Sequence, residues 1–270
     1  MTLSVVLITF NEESNLPRTL ASVKPLVESG QGEIIIVDSG STDRTVEIAK
    51  SFGAKVLLEP WKGFAAQKNS AIDKATGDWI LSLDADEEIS PAMREFLLLS
   101  LFGQKKGEFA NFQGGMIFAR RNYFLGRALR HGGFYPDPKL RLFRHGCARF
   151  EERAVHEDLR LTRGAEYRPA MYYDMGAPIE ILHHAYPTLS NYIEHMNRYS
   201  TLGAEMAVAK GYRGFSFIDI ALRPIATFTY NYIFRLGFLD GREGLLLHLY
   251  HSVYVSWKYA KAWELSRAKK

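Results

Sequence analysis

The chain has 270 residues, 47% of them hydrophobic and 24% charged, which is the balance of a globular protein and excludes a disordered or low-complexity one. A single cysteine, Cys147, excludes an internal disulfide framework and favours a reducing compartment. No charged leader followed by an apolar stretch opens the sequence, so no signal peptide is expected and the active part should face the cytoplasm.

Residues 3–10 are a short apolar, β-branched run that reads as a first buried strand, followed by a polar turn at 11–15. Leu16, Leu20, Val23 and Val27 then recur at helical spacing. Residues 33–38 make a second strand, apolar until it ends on Asp38; a continuous run of this kind fits a parallel strand covered on both faces. The loop 39–43 leads into a helix over 44–52, with Thr42 or Asp43 as its N-cap. A third strand (55–58), a helix (63–75) and a fourth strand (79–83) follow. Strands alternating with helices imply right-handed βαβ units and a mostly parallel sheet.

The fourth strand stops at Asp84-Ala85-Asp86-Glu87-Glu88. Two aspartates one residue apart at a strand end can turn toward one hard cation such as Mg²⁺ or Mn²⁺. The plainer reading is an acidic turn starting a helix at Ser90-Pro91, and Glu87 and Glu88 fit that role. Polar residues also follow the first two strands: Thr9, Asn11 and Glu12, then Asp38 and Asp43. Topology brings all three loops to one sheet edge, where open α/β sheets bind ligands. Asp38 suits the polar edge of a uracil or ribose. A diphosphate needs a cation, held by Asp84 and Asp86, and Lys68 adds a point charge. Neither a glycine-rich dinucleotide fingerprint nor a Walker phosphate loop is present, which excludes the usual dehydrogenase and NTPase designs.

Ile8-Thr9-Phe10-Asn11-Glu12, Val37-Asp38-Ser39-Gly40-Ser41-Thr42-Asp43 and Leu83-Asp84-Ala85-Asp86 together resemble the family 2 glycosyltransferases of the GT-A fold. The resemblance implies an α/β domain that binds a nucleotide-diphosphate sugar and a divalent metal, Mn²⁺ or Mg²⁺. It assigns Thr9, Asn11, Glu12, Asp38, Asp43, Lys68, Asp84 and Ala85 to the donor. Asp86 becomes the direct metal ligand of this acid–any–acid (DXD) motif, with Asp84 toward the sugar or ribose and near the metal. Trp61-Lys62-Gly63-Phe64 and Gln67-Lys68-Asn69 resemble a narrower group, the bacterial lipopolysaccharide core glucosyltransferases.

Residues 116–120 read as a strand, after which residues 120–149 carry a net charge of +7. The stretch 122–137 is rich in Gly, aromatic and basic residues, as in loops close to a ligand. Residues 139–144 alternate and read as a strand with one basic face. No nucleic-acid module accompanies this charge, so an anionic saccharide acceptor fits it better, with Arg130, His131, Tyr135 and Arg141 as its contacts.

Arg153-Ala154-Val155-His156-Glu157-Asp158 supplies a base. Glycosyl transfer removes a proton from the attacking acceptor hydroxyl. His-Glu at this position resembles a family 2 motif, which makes Glu157 the base, with Asp158 as the alternative. Ile181-Leu182-His183-His184-Ala185-Tyr186 offers a further metal or diphosphate contact by the same resemblance, at His183 or else His184.

Residues 189–210 are helical in spacing, and 215–257 are aromatic and apolar. The longest uncharged runs there are eleven residues (224–234) and fourteen (244–257). A membrane-spanning helix needs about 20 apolar residues. Amphipathic helices lying on a membrane, flanked by Arg223, Arg235, Arg242 and Lys258, are therefore expected; packing against the α/β domain is the alternative. Arg235-Leu236-Gly237-Phe238-Leu239-Asp240-Gly241 and Trp257-Lys258-Tyr259-Ala260-Lys261 also resemble the core glucosyltransferases.

The expected organisation is a GT-A catalytic domain over 1–187 and a helical, membrane-interfacial region over 188–270. The resemblance implies an inverting, metal-dependent transfer of a hexose, glucose from UDP-glucose, onto an inner-core heptose of lipopolysaccharide. The partners would be a UDP-sugar donor, a lipid-linked anionic acceptor and the inner face of the inner membrane, with no nucleic acid. A polyprenyl-phosphate sugar transferase and a non-catalytic sugar-nucleotide-binding membrane protein are the alternatives.

Overall fold

The computed structural model describes residues 1–28, 31–103, 106–151, 158–170 and 174–268. It divides into two compact units, Met1–Arg120 with Asp137–His183, and Arg121–Pro136 with His184–Lys270. Residues 121–136, expected in the first domain, cluster with the C-terminal helices.

The first unit opens with β1 (Leu3–Thr9), α1 (Leu16–Val27), β2 (Gly32–Asp38), α2 (Thr45–Ser51), β3 (Lys55–Leu58), α3 (Phe64–Asp73) and β4 (Trp79–Ser82). β1 pairs in parallel with both β2 and β4, and β2 with β3. Burial explains the unbroken apolar runs. Val5, Leu7, Ile34 and Ile36 join one apolar cluster with Leu20 and Phe96. Val6, Ile35 and Val37, the residues between them, join another with Ile72 and Phe143. Alternate side chains of each strand thus pack on opposite faces, both of them dry.

The chain continues through β5 (Glu87–Ile89), α4 (Pro91–Leu97, extended by wider turns to Phe102) and α5 (Lys106–Ala110). β6 (Gly114–Phe124) then leads by β7 (Arg127–Ala128) to β8 (Asp137–Arg144), β9 (Ala148–Phe150), β10 (Leu159–Leu161), β11 (Glu166–Pro169) and β12 (Glu180–Tyr186). β8 lies antiparallel to both β4 and β6, and β12 is antiparallel to β5, so a parallel core is completed by antiparallel strands.

Two departures from the sequence reading matter for the site. Glu87 and Glu88 form part of β5 and do not begin the helix, which starts at Pro91 behind the Ser90 cap, whose Oγ accepts from Met93 N–H at 3.1 Å. β8 also lacks a solvated basic face. Leu142 pairs with Met116 but Leu140 with Ile117, so Arg141 is the extra residue of a β-bulge, and Leu140 to Phe143 are all buried.

In the second unit, β6 and β7 form a hairpin whose two-residue turn, Leu125-Gly126, has both φ angles positive (50° and 80°). The unit's helices are α6 (Leu189–Ala209), α7 (Arg223–Phe228) and α8 (Gly241–Ala268). Phe124, Leu129, Tyr192 and Leu247 form its core, and Ala204, Val208 and Ala262 a smaller cluster. No helix among the described residues is long and apolar enough to cross a membrane.

Candidate active site

The loops after β1 and β2 are tied together by hydrogen bonds. Asp38 is fully buried; its Oδ1 accepts from Gly40 and Ser41 N–H at 3.0 and 2.8 Å, and its Oδ2 from the Thr9 hydroxyl at 2.7 Å and from Ser41 Oγ. Asn11, at φ 56°, donates its N–H to Ser41 Oγ and accepts from Thr42 N–H, both at 2.8 Å. The N-cap of α2 is Arg44, one residue later than expected; Asp43 accepts from Thr45 N–H at 3.0 Å and from Glu13 N–H at 3.1 Å. Four of the donor-binding residues expected from sequence are thereby brought together. Asp38 spends its acceptor capacity on holding the loop.

The turn between β4 and β5 is fixed from both sides. Thr19 of α1 donates its hydroxyl to Ala85 C=O at 2.7 Å, and Ser22 Oγ accepts from Ile89 N–H at 3.2 Å. Asp84 N–H reaches Glu87 Oε2 at 3.1 Å. The Asp84 carboxylate lies 2.7 Å from Lys68 Nζ on one oxygen and 2.7 Å from Arg141 Nη2 on the other. Arg141 also meets Glu87 Oε1 at 2.6 Å, and Arg120 bridges Glu87 at 3.0 Å and Asp137 at 2.6 Å. Burial would raise the Asp84 carboxyl, but Lys68 and Arg141 outweigh it and hold it well below the usual carboxylate range. Burial would equally depress Arg141, yet Glu87 and Asp84 raise it.

Asp86 has different company. The β5–β12 register sets His183 opposite Glu87, and His183 Nε2 lies 3.4 Å from Asp86 Oδ2. Against the effect of burial, the nearby imidazole lowers the Asp86 carboxyl. Asp84 and Asp86 remain 28% and 25% exposed on their side chains, so both stay open to a ligand. Glu12 behaves in the opposite sense. Burial pushes its carboxyl up, opposed by a hydrogen bond from Asn15 and reinforced by Asp86, Asp43 and Asp84. A cation would relieve that accumulation of negative charge. Among the described residues no group of three or more His, Cys, Asp or Glu side chains is arranged to hold a metal. Asp86 and His183 offer one oxygen and one nitrogen donor of the kinds a divalent cation such as Mn²⁺ accepts.

The other expected residues separate. Arg141, expected to meet an acceptor, is buried within the Asp84–Glu87 cluster; the bulge turns it there, so it positions carboxylates instead. Arg130, His131 and Tyr135 fall in the second unit, as does His184, which stacks on Tyr123 at 4.5 Å between ring centres. His183 is therefore the histidine beside Asp86. Glu157 lies outside the described residues. Asp158 is described, and its carbonyl accepts Glu151 N–H at 3.0 Å. Sequence reasoning missed Glu87, Arg120 and Gln67. Gln67 is fully buried with Nε2 on Ser39 Oγ at 3.2 Å. Its place beside Lys68 in a motif already marked was the available signal.

Residues 4–154 match the model of the glycosyl transferase family 2 domain. The chain belongs to that family. The transferase is 30% identical to the lipopolysaccharide core biosynthesis glycosyltransferase LpsC of Rhizobium meliloti over 88% of this chain and 82% of that protein. It is 28% identical to an uncharacterised glycosyltransferase of Rickettsia typhi over 98% and 87% of the two chains. Glucosyl-3-phosphoglycerate synthase of Mycobacterium tuberculosis, crystallised with Mn²⁺, uridine diphosphate and glucosyl-3-phosphoglycerate, matches 46% of the transferase and 44% of that chain at 26% identity and a TM-score of 0.34. Family membership and the parallel β-α core identify a GT-A domain with C-terminal helices.

Proposed function

We propose that this family 2 transferase moves a hexose, glucose from UDP-glucose, onto an inner-core heptose of lipopolysaccharide, with inversion and with Mn²⁺ or Mg²⁺ as cofactor. The observation that carries the reading is the pairing of Asp86 with His183 beside an Asp84 already neutralised by Lys68 and Arg141. Similarity to LpsC along most of the chain supports the core saccharide as acceptor.

Asp86 and His183 would hold the cation, which when bound stabilises the charge that grows on the departing diphosphate. Thr9, Asn11, Glu12, Asp38 and Asp43 build the loop surface for the nucleoside, and Lys68 is released from Asp84 toward the diphosphate. Glu157, or Asp158 in its place, takes the proton of the acceptor hydroxyl. As that oxygen bonds to the anomeric carbon, the bond from the anomeric carbon to the diphosphate oxygen breaks with its electron pair. Arg130, His131 and Tyr135 belong to the acceptor side. Arg121 lies over the Tyr135 ring at 5.1 Å, which keeps that aromatic face in place.

The acceptor is lipid-linked in this reading, and the second unit has the surface to meet it. Phe215, Phe217, Ile218, Leu222, Ile225 and Phe234 are exposed within twenty residues, beside Arg223 and Arg235. Apolar projections bordered by arginine fit the interface of an anionic bilayer, here the inner face of the inner membrane. The deciding experiment is a panel of UDP- and GDP-sugars scored for nucleotide release, with and without a heptose-containing core oligosaccharide. Acceptor-stimulated UDP release from UDP-glucose is expected. Equal release with and without the oligosaccharide defeats the acceptor assignment.

A further inference from the structure

The segment Arg235–Gly241, marked in the sequence by resemblance, has no part in the chemistry above. In the structure its residue Asp240 is buried, and its carboxylate collects donors from a distant stretch of the same unit. Arg130 N–H reaches Oδ2 at 3.1 Å and His131 N–H at 2.9 Å, across 110 and 109 residues of sequence. The third donor is a side chain: His131 Nδ1 lies 2.9 Å from Asp240 Oδ1.

The two backbone bonds suffice to seat the 130–132 loop. The imidazole bond does something further, because it selects a tautomer. A carboxylate only accepts, so the ring nitrogen facing it carries the proton. In the neutral ring the lone pair is then on Nε2, at the opposite edge. The His131 side chain is 32% exposed, so the ring is not sealed inside the unit.

The surroundings leave this pair little freedom. Gly132 N–H donates to Arg235 C=O at 2.8 Å. The buried His248 ring fills the space between Gly132 and Gly237; a Cβ would come within 2.1 Å of it at the first and 2.2 Å at the second. Burial, aided by His251, pushes His248 down to about 4, so it packs as a neutral ring. Leu236 is held at φ 61°, a costly conformation for a leucine, which persists only where neighbours impose it.

We propose that Asp240 is a positioning residue that holds His131 as its Nδ1–H tautomer, so that Nε2 accepts a hydrogen bond from a hydroxyl of the acceptor saccharide. The assignment rests on the acceptor role given to His131 above. A lone pair backed by a buried carboxylate repels anions and suits a hydroxyl donor, and the anionic groups of the acceptor are left to Arg130 and its basic neighbours.

The test combines histidine nitrogen NMR with kinetics, using UDP-glucose and a heptose-containing core oligosaccharide. The wild-type His131 ring should be the Nδ1–H tautomer. Asp240→Asn, whose amide donates to Nδ1, should convert it to Nε2–H. His131→Asn can keep the Asp240 bond but has nothing at the Nε2 position; it should raise the oligosaccharide KM about 10-fold with the UDP-glucose KM unchanged, on the scale of one lost hydrogen bond. His131→Gln, which reaches that position, should recover most of the loss. Should Asp240→Asn not fold, the two His131 variants decide the matter. An Nε2–H ring in the wild type, or a normal oligosaccharide KM in His131→Asn, overturns the proposal. A wild-type protein that releases UDP yet ignores the oligosaccharide refutes the heptose acceptor instead, and the tautomer and its reversal in Asp240→Asn then decide the positioning role separately.

Discussion

His183 Nε2 stands 3.4 Å from Asp86 Oδ2 because β12 runs antiparallel to β5, with His183 opposite Glu87. Residues nearly a hundred apart in sequence thus meet at the place where the proposed cation would bind. His183→Ala and Asp86→Ala should each weaken Mn²⁺-dependent UDP-glucose binding by at least about 10-fold, the lower end of what losing a metal's supporting shell costs. Titration calorimetry with and without Mn²⁺ measures this. Metal-independent donor binding should stay the same, and an unchanged Mn²⁺ effect in both variants removes the cation site.

Glu87 is the hidden partner in the cluster. It is buried and neutralises Arg141 and Arg120 together. Glu87→Ala leaves the buried Arg141 and the half-buried Arg120 with one carboxylate each, Asp84 and Asp137, a loss that costs up to about 3–5 kcal/mol. A fall in melting temperature well beyond that of Glu88→Ala is expected; Glu88 is more exposed, and its ion pair with Arg18 is longer, at 3.6 Å. Equal melting of the two variants shows that Glu87 does not hold the cluster together.

Much of this was legible in the sequence, and the failures share a cause. Continuous apolar runs disclosed β1, β2 and β4, because strands dry on both faces carry no polar alternation. The acids at their ends disclosed the sheet edge. Arg141 was misread because one bulge residue shifts the phase of β8, and a bulge leaves no periodic trace in residues 139–144. Glu87 was misread because its strand is three residues long and exists only through pairing with β12. The attachment of residues 121–136 to the C-terminal helices depends on Asp240 and His248, contacts more than a hundred residues away. Local pattern cannot disclose any of these.

The pH behaviour of the metal-free protein follows from Glu12. An acid whose folded-state pKa is raised is penalised when ionised, so its cost is absent below the ordinary glutamate range and grows as pH rises through the folded value. Glu12→Gln removes that charge and should stabilise the metal-free protein at neutral pH, with the gain vanishing below the ordinary glutamate pKa of about 4.3. Asp84 and Asp86 act in the opposite direction. Their lowered values supply stability above about pH 4 that is lost as pH falls through the folded-state pKa values, in wild type and variant alike. Thermal melts from pH 3 to 8 with excess chelator separate the two trends, the Glu12 cost appearing as pH rises above about 4.3 and the aspartate contribution fading as pH falls below about 4. A Glu12→Gln variant less stable at neutral pH contradicts the assigned burial cost.

Ile218 and Phe234 are 64% and 73% exposed, unusual for such large apolar side chains, and they lie on either side of α7. Water contact over this surface is costly, and insertion into a bilayer interface recovers about 0.8 kcal/mol per buried CH₂. Ile218→Glu with Phe234→Glu should therefore cut co-flotation with anionic liposomes by more than about 10-fold, since each factor of ten needs only about 1.4 kcal/mol. Neither residue belongs to the core clusters, so the melting temperature should hold within a few degrees. Raising the salt should weaken wild-type flotation as well, by screening Arg223 and Arg235 against the lipid phosphates. Flotation that survives both the substitutions and high salt places the membrane contact elsewhere on the protein, whereas a wild type that stays in solution at low salt removes it.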